Sequence, residues 1–251
     1  MITMTTVEGI VLKERSVGEQ DKFIDILTGE NGVLEVSVKG AKKINGKSGS
    51  SAQLLAYSRF CIDKRGKYLY LNSAEPIHIF YGLRDSLKKI ALASYFAEVL
   101  RYCINPERQN GEVLRLMLNT MHFLEKGSRD ERQLKALFEL RLMSDTGFMP
   151  DIIACRSCGA FEPEELCFSI EDGSLYCRDC FTGSTADNNY IPMRLPVLRA
   201  IRHIVLADYD RLYNFRVSEE VLEKLAYTAE NYLLAHVGRS FGTLDFYKSL
   251  I

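Results

Sequence analysis

Two close pairs of cysteines constrain this 251-residue chain more than any other feature. They are Cys155-x-x-Cys158 and Cys177-x-x-Cys180, and 18 residues separate the two pairs. A two-residue gap lets one tight turn aim two thiolates at the same ion, and two such turns complete a tetrahedron of sulfurs around Zn²⁺. Gly159, directly after the first pair, suits the positive φ that such a turn requires. The sequence therefore predicts one structural Zn²⁺ per chain, held by these four cysteines.

The same four ligands limit what the metal can do. Four sulfurs close the coordination shell and leave no position for a water or a substrate. A zinc deaminase needs His-x-Glu and a Pro before its cysteine pair, whereas no histidine here has a Glu two residues later and Ala154 precedes Cys155. The alternatives are a redox dithiol, which needs only one pair, and two disulfides, which suit secreted proteins. Cys167 is the one spare candidate ligand, and we expect Arg156 and Arg178 to offset the thiolate charge.

Composition indicates an ordinary globular protein. Hydrophobic residues make up 47% and charged residues 26% of the chain, and the net charge is −1, so any basic surface must be local. Residues 1–9 lack the apolar core of a signal peptide, and no apolar run approaches the ~20 residues of a membrane helix. An odd number of cysteines, seven, suits a reducing compartment. We therefore expect a cytoplasmic protein with no membrane association.

Residues 7 to about 80 show the alternation of apolar and polar side chains that is typical of half-buried strands. Leu34, Val36 and Val38 alternate with polar residues, and turn signals lie at residues 28–32 and 64–67. About five short strands in this length predict a small closed barrel, for which the OB-fold is the five-stranded candidate. We predict a nucleic-acid-binding domain of this type at residues 1–81.

Residues 82–251 are predicted to form a helical domain, because apolar residues there recur at helical spacing. Ser128 and Glu131 are predicted to form a capping box that opens a third helix, and Gly147 and Pro150 follow its end. Two further helices are predicted after Pro196 and after Ser218, the last one ending near Gly238. The cysteine pairs lie between these helices, so the zinc site is predicted to be an insertion at residues 151–186. The fold class is therefore α+β, with a barrel followed by an all-α domain.

The most polar stretch, residues 39–51, lies between two predicted strands and carries four lysines without an acid. Such a loop attracts phosphates, and OB barrels bind single strands with a cationic groove and stacked aromatic rings. The predicted DNA-contacting residues are Lys39, Lys42, Lys43, Lys47, Lys64, Arg65, Lys67, Tyr68 and Tyr70. A solvated loop is the alternative for the lysines, and for Phe60 we favour a place in the core.

Part of this loop resembles a phosphate-binding loop. Ala41-x-x-x-x-Gly46-Lys47-Ser48 matches a relaxed pattern with Ala in place of the first Gly. Such a loop must lead from a parallel strand into a helix whose N-terminus faces phosphate, and at most one helical turn fits before Arg59. An ATPase is therefore a minor alternative, and no nucleophile and base pair predicts a catalytic site elsewhere.

The order of motifs resembles a known family across essentially the whole chain. The motifs are Gly9-Ile10-Val11-Leu12-Lys13, Gly18-Glu19-x-Asp21, Thr28-x-x-x-Gly32, Lys39-Gly40-Ala41-Lys42-Lys43, Leu142 to Gly147-x-x-Pro150, both cysteine pairs, Phe168-Ser169 before Gly173, and Arg239-Ser240-x-x-x-Leu244-Asp245. Each motif is weak alone, but their order together with the cysteine pairs is similar to the bacterial recombination mediator RecO family.

The resemblance implies an N-terminal OB-fold, a helical C-terminal domain and a structural zinc. It implies binding of single- and double-stranded DNA, annealing of complementary strands, and contacts with RecR and with single-stranded-DNA-binding protein, which together assist RecA loading. It also implies a bacterial, nucleoid-associated location and no catalysis. A protein-docking adaptor, whose helical domain holds a hydrophobic peptide in a groove, is a further alternative.

Overall fold

The structure is a computed structural model that describes residues 3–40, 49–184 and 189–251. Five strands near the N-terminus close into a barrel in the order β1-β2-β3-β5-β4. They are β1 (Thr3–Val17), β2 (Asp21–Thr28), β3 (Val33–Val38), β4 (Ala56–Arg65) and β5 (Tyr68–Ile79). The predicted five-stranded barrel is thereby confirmed, and both predicted turns lie between strands. The pairing of β3 with β5 is parallel and the other four pairings are antiparallel.

The long first strand closes the barrel. The first half of β1 pairs with β4 and the second half pairs with β2, and the register shifts between Val11 and Lys13. A bulge of this kind bends a strand and lets one strand serve two neighbours. Gly9 lies in the overlap, and a Cβ added there would lie 2.4 Å from the Leu27 carbonyl oxygen, so only glycine fits. Apolar side chains fill the interior, among them Val36, Val38 and the fully buried Phe60, as predicted.

Three helices form a compact unit with the barrel: α1 (Leu87–Cys103), α2 (Gly111–Lys126) and the final helix α6 (Gly242–Lys248). This unit comprises Met1–Lys126 together with Phe241–Ile251. Phe241, at the start of α6, is fully buried, and its ring lies edge-on 6.0 Å from that of Tyr95 in α1. The sequence did not predict α6, because seven residues are too few to show a helical period.

The second compact unit is Gly127–Ser240. It contains α3 (Glu131–Asp145), α4 (Leu195–Leu206) and α5 (Glu219–Val237), which match the predicted helices. The predicted capping box at Ser128 is wrong: Asp130 is the N-cap of α3, and its side chain accepts a hydrogen bond from the backbone N–H of Arg132. Asp130 rather than Ser128 caps the helix because the Arg132 guanidinium also binds the Asp130 carboxylate, at 2.9 Å.

A four-stranded sheet with the order β6-β8-β7-β9 belongs to the same unit. Its strands are β6 (Asp151–Cys155), β7 (Glu165–Ser169), β8 (Ser174–Cys177) and β9 (Tyr190–Arg194). The sequence predicted only cysteine turns here, because strands of four or five residues give too little alternation. The two compact units divide the chain after Lys126 and after Ser240. The sequence predicted a different boundary, between residues 81 and 82, and that domain boundary stays a prediction.

A buried ion-pair cluster joins α3 to α5. The Lys135 ammonium lies 2.7 Å from a carboxylate oxygen of Glu139 and 2.7 Å from one of Glu230. Burial lowers the pKa of Lys135, but the two carboxylates outweigh burial and raise it, so the lysine stays charged. Elsewhere, no helix within the described ranges has the length and apolarity needed to cross a bilayer.

Candidate metal centre and nucleic-acid interface

The four predicted cysteine ligands lie together. Every pair of their sulfurs is within 4.8 Å, and the Cys158 and Cys177 sulfurs are 3.7 Å apart. A tetrahedron with metal–sulfur bonds of about 2.3 Å has edges of about 3.8 Å, so the spacing suits a tetrahedral ion. All seven cysteines are free thiols, which differs from the disulfide alternative. This cluster can hold a metal ion.

Two strand ends position the cluster. Cys155 ends β6 and Cys177 ends β8, and these strands lie side by side in parallel. Each pair then turns tightly: the N–H of Gly159 donates to the Cys155 carbonyl, and the N–H of Phe181 donates to the Cys177 carbonyl, both at 2.9 Å. Gly159 has a φ of +73°, as expected from the sequence. The two turns therefore face one another and direct two sulfurs each towards one point.

The electrostatics of the cluster favour a bound cation. Burial raises the pKa of Cys155, but backbone N–H groups that include that of Cys177, 3.3 Å from the sulfur, together lower it to about 6. The side chains of Cys177 and Cys158 raise the pKa of Cys180 to about 12. The Cys155 sulfur therefore ionises readily, whereas the Cys180 thiol keeps its proton because a second negative charge nearby is unfavourable. A metal ion relieves this conflict, because it binds thiolates and displaces their protons.

The residues around the cluster differ in part from expectation. Arg156 lies 3.3 Å from Asp172, and Arg178 lies 2.9 Å from Glu165, so both arginines are paired with carboxylates. Their charge is therefore not reserved for the four sulfurs. Cys167 lies in the middle of β7, and it is not part of the metal-binding group found within the described residues. Burial raises its pKa to about 11, which is typical of an inert buried thiol.

Two of the predicted DNA-contacting cations are paired with acids in the barrel. The Lys39 ammonium lies 2.7 Å from Asp21, and this hydrogen bond raises the pKa of Lys39 and lowers that of Asp21. Arg65 lies 3.4 Å from Asp63. The predicted contacts Lys42, Lys43 and Lys47, and the Ala41-to-Ser48 segment that resembles a phosphate-binding loop, lie outside the described residues. Lys39 remains 65% exposed despite its partner, so it stays accessible to a phosphate.

The turn between β4 and β5 brings the other predicted residues together. The Arg65 guanidinium lies over the Tyr70 ring, 5.2 Å from its centre, and the Lys67 ammonium lies over the Tyr68 ring at 5.3 Å. Tyr68 is 54% exposed. Lys64 is the next-to-last residue of β4, and no ion pair is found for it among the residues that the structure describes. This end of the barrel therefore offers two cation-capped rings.

Sequence reasoning missed a third ring on the same outer surface. Phe23 in β2 is partly exposed, and the Arg15 guanidinium of β1 lies over it, 5.7 Å from the ring centre. The available signal was the alternation in β2, where Phe23 lies between Lys22 and the buried Ile24 and must face the opposite way from Ile24. Phe23 pairs with Ser37, and Ser37 pairs with Tyr70, so Phe23 lies two strands away from Tyr70. The sequence alone does not show these pairings, because they join segments that are far apart in the chain.

The described residues between β3 and β4 bear on the ATPase alternative. They contain a single short helix, the three-residue 3₁₀-helix Ser50–Ala52, followed directly by the approach to β4. A phosphate-binding loop needs the N-terminus of an α-helix after the strand. The described part of this connection provides no such helix.

Comparison with known proteins agrees with this architecture. The family model described as "Recombination protein O N terminal" matches residues 1–80, and "Recombination protein O C terminal" matches residues 84–245. A DNA repair protein RecO from Acetivibrio thermocellus is 30% identical over 243 residues, which cover 96% of this chain and 95% of that protein. RecO proteins from Alkaliphilus metalliredigens (28% identical, covering 97% of this chain and 98% of that one) and Bacillus subtilis (27%, covering 94% and 90%) are also similar. With the barrel, the helices and the cysteine cluster, these matches show that the chain belongs to the RecO family.

Proposed function

We propose that this chain is a DNA-binding recombination mediator in DNA repair, without catalysis of its own. The observation that carries the proposal is the closed five-stranded barrel with two cation-capped tyrosines at one turn, in a chain whose residues 1–80 and 84–245 match the family. Barrels of this type bind oligonucleotides through the loops after their first and fourth strands and the face of strands two and three. The turn at residues 65–68 is the second of these loops.

Single- and double-stranded DNA are the proposed ligands of this surface. Lysines and arginines neutralise phosphates of either form and release counterions, which requires no particular sequence. The proposed contacts are Lys39, Lys42, Lys43, Lys47, Lys64, Arg65, Lys67, Tyr68 and Tyr70. Cations that screen two backbones at once also let complementary bases pair, which supports strand annealing as the activity.

The metal ion in this proposal is one structural Zn²⁺ held by Cys155, Cys158, Cys177 and Cys180. Thiolate sulfur favours zinc over hard cations such as Mg²⁺, and the sulfur spacing suits a tetrahedral ion. When bound, zinc would supply cohesion alone, because four protein ligands leave no site for a water. The ends of β6 and β8 would then be joined through the ion as well as through their hydrogen bonds.

Partner proteins belong to the proposal as well. RecR and single-stranded-DNA-binding protein are the proposed partners, with RecA loading as the indirect outcome, in the bacterial cytoplasm near the nucleoid. Support comes from family membership and from the names of the relatives, which are DNA repair proteins from bacteria.

A second candidate function, protein docking by the helical unit, is favoured by one cavity. A space of about 630 Å³ lies between the β9–α4 junction and α5. Its lining includes the apolar Met193, Val197, Val221 and Tyr227 and four charged residues, Arg194, Glu220, Glu223 and Lys224. Its size and apolar lining suit a short hydrophobic peptide segment. This role is compatible with DNA binding by the barrel.

Strand annealing is the experiment that tests the leading proposal. Two complementary labelled oligonucleotides are mixed with the protein, and pairing is followed by energy transfer, with ATP hydrolysis measured in parallel with and without DNA. We expect faster annealing without ATP and no hydrolysis. No acceleration and no DNA binding would contradict the mediator proposal, and DNA-stimulated hydrolysis would favour the ATPase alternative.

A further inference from the structure

A row of residues crosses the outer surface of four barrel strands. Direct pairing places Arg15 of β1 opposite Phe23 of β2, Phe23 opposite Ser37 of β3, and Ser37 opposite Tyr70 of β5. Residues that pair directly across strands point to the same side of a sheet. The interior is filled by the alternate residues, such as Ile24, so this row lies on the outer side of the barrel, where Ser37 itself is only 5% exposed.

The row holds two aromatic rings separated by the small Ser37, and Tyr68 extends it. Two strand spacings put Phe23 and Tyr70 about 10 Å apart, and Tyr68 lies two residues, about 7 Å, further along β5. Each ring carries its own cation: Arg15 over Phe23 at 5.7 Å, Arg65 over Tyr70 at 5.2 Å, and Lys67 over Tyr68 at 5.3 Å. All three rings reach solvent on the outer side of the barrel: Tyr68 is 54% exposed, and Phe23 and Tyr70 are partly exposed.

Carboxylates balance much of the charge on this surface. Arg15 is bound to Glu35 and lies 3.6 Å from Asp25, and Arg65 lies 3.4 Å from Asp63. A phosphate that approaches these arginines competes with acids already in place. Charge alone therefore gives this surface a lower affinity for DNA than the number of its cations indicates. Stacking of bases on the rings supplies additional affinity.

We propose that the bases of a single DNA strand stack on Phe23, Tyr70 and Tyr68, so that the strand crosses the barrel from the β4–β5 turn over β3 to β2. The inference rests on the proposed DNA binding and adds the path of the strand and two residues, Phe23 and Arg15. Duplex DNA can meet the cations of this surface through its phosphates but cannot stack on the rings, because its bases already stack on one another and expose only their edges in the grooves.

The cations that lie over the rings change partners when a base binds. A base that takes a ring face displaces the cation above it, and the phosphates on either side of that base offer the cation a new partner. The contact between cation and ring is exchanged for a stacked base and a cation–phosphate pair. Without a strand, the same cations cover apolar ring faces that would otherwise meet water.

The test compares two oligomers of equal length, oligothymidine and an abasic deoxyribose-phosphate chain, by fluorescence anisotropy with the full chain. The variants are Phe23→Leu and Tyr70→Leu. The matched control is Phe246→Leu on α6, an aromatic residue of the same unit that is 48% exposed and far along the chain from the barrel. Thermal melting shows whether each variant is folded.

Stacking on one ring strengthens binding roughly 5- to 150-fold per base. We expect each barrel variant to lose affinity for oligothymidine by a factor in this range, while its affinity for the abasic chain and the slope of affinity against salt stay unchanged. Phe246→Leu should match the unaltered protein with both oligomers.

An equal loss for both oligomers, or no loss for either, would overturn the stacking path. Photocrosslinking of an oligomer that contains 5-iodouracil checks the same claim without a variant: adducts on Phe23 or Tyr70 support it, and adducts confined to other residues contradict it. If the unaltered protein binds neither oligomer, the proposed DNA-binding function itself fails, which is a different result from a failure of stacking alone.

Discussion

Replacing one sulfur of the metal-binding cluster should weaken the whole second unit. We predict that Cys158→Ser destabilises residues 127–240, because a hydroxyl is a poor substitute for a thiolate in a tetrahedral sulfur site. Cys158 is exposed and lies outside the strands, so its own packing contributes little and the effect reports on the metal. The ends of β6 and β8 would lose the ion that joins them.

The size of the effect is worked out by dividing the binding free energy of the metal equally among its four ligands. Structural zinc contributes about 10–16 kcal/mol of apparent binding free energy, so one ligand in four accounts for about 2.5–4 kcal/mol. The second unit has about 110 residues, for which the unfolding entropy is about 0.23 kcal/mol per degree. Dividing this free energy by the unfolding entropy gives a fall in melting temperature of about 11–17 °C for this unit.

Differential scanning calorimetry of the zinc-loaded protein measures this shift, and elemental analysis gives the metal content. We expect about one zinc per chain before the change and less after it. Cys167→Ser is the matched control, since Cys167 belongs to the same unit but not to the cluster, and it should keep its zinc. A protein that contains no metal, or a Cys158→Ser variant with unchanged melting and zinc content, would refute the assignment.

Two further predictions concern the second unit. Lys135→Met should lower the free energy of unfolding by about 3–5 kcal/mol in urea titration, because it removes the ammonium that pairs with the buried Glu139 carboxylate. An unchanged free energy of unfolding would contradict this prediction. Hydrogen bonding from Ser169 lowers the pKa of Asp172 below 3.8, so its stabilising contribution is present above that pH and is lost as the pH falls through the lowered value. Asp172→Asn should therefore lose less stability between pH 5 and pH 2 than the unaltered chain, as measured by thermal melting, and an identical pH profile would contradict this.

The barrel could be predicted because its signals are local. Alternation of apolar and polar residues marks each strand, and glycine-containing turns separate them, so neither feature depends on distant parts of the chain. The capping of α3 could not be predicted in the same way, since Ser128 and Asp130 are both good cap residues. Arg132 decides between them, because it binds Asp130 and also Glu219 from 87 residues away.

The candidate sites differ in the same way: one depends on local spacing and the others on long-range pairing. The cysteine cluster follows from spacing alone, because each pair is set by one turn. The pairing of Lys39 with Asp21, and the row that joins Phe23 to Tyr70, depend on strand register between segments far apart in sequence. A single sequence shows the residue types at those positions but not which of them meet.

Titration of fluorescent single-stranded DNA at several salt concentrations tests the central claim of DNA binding most directly. The comparison is between the unaltered chain and a variant with Lys39, Lys42 and Lys43 all changed to Ala. Each lost phosphate contact lowers the slope of log affinity against log salt by about 0.7 for single strands, so three contacts predict a fall of about 2 together with weaker binding. The same slope and affinity in both proteins would contradict the claim that these lysines hold DNA.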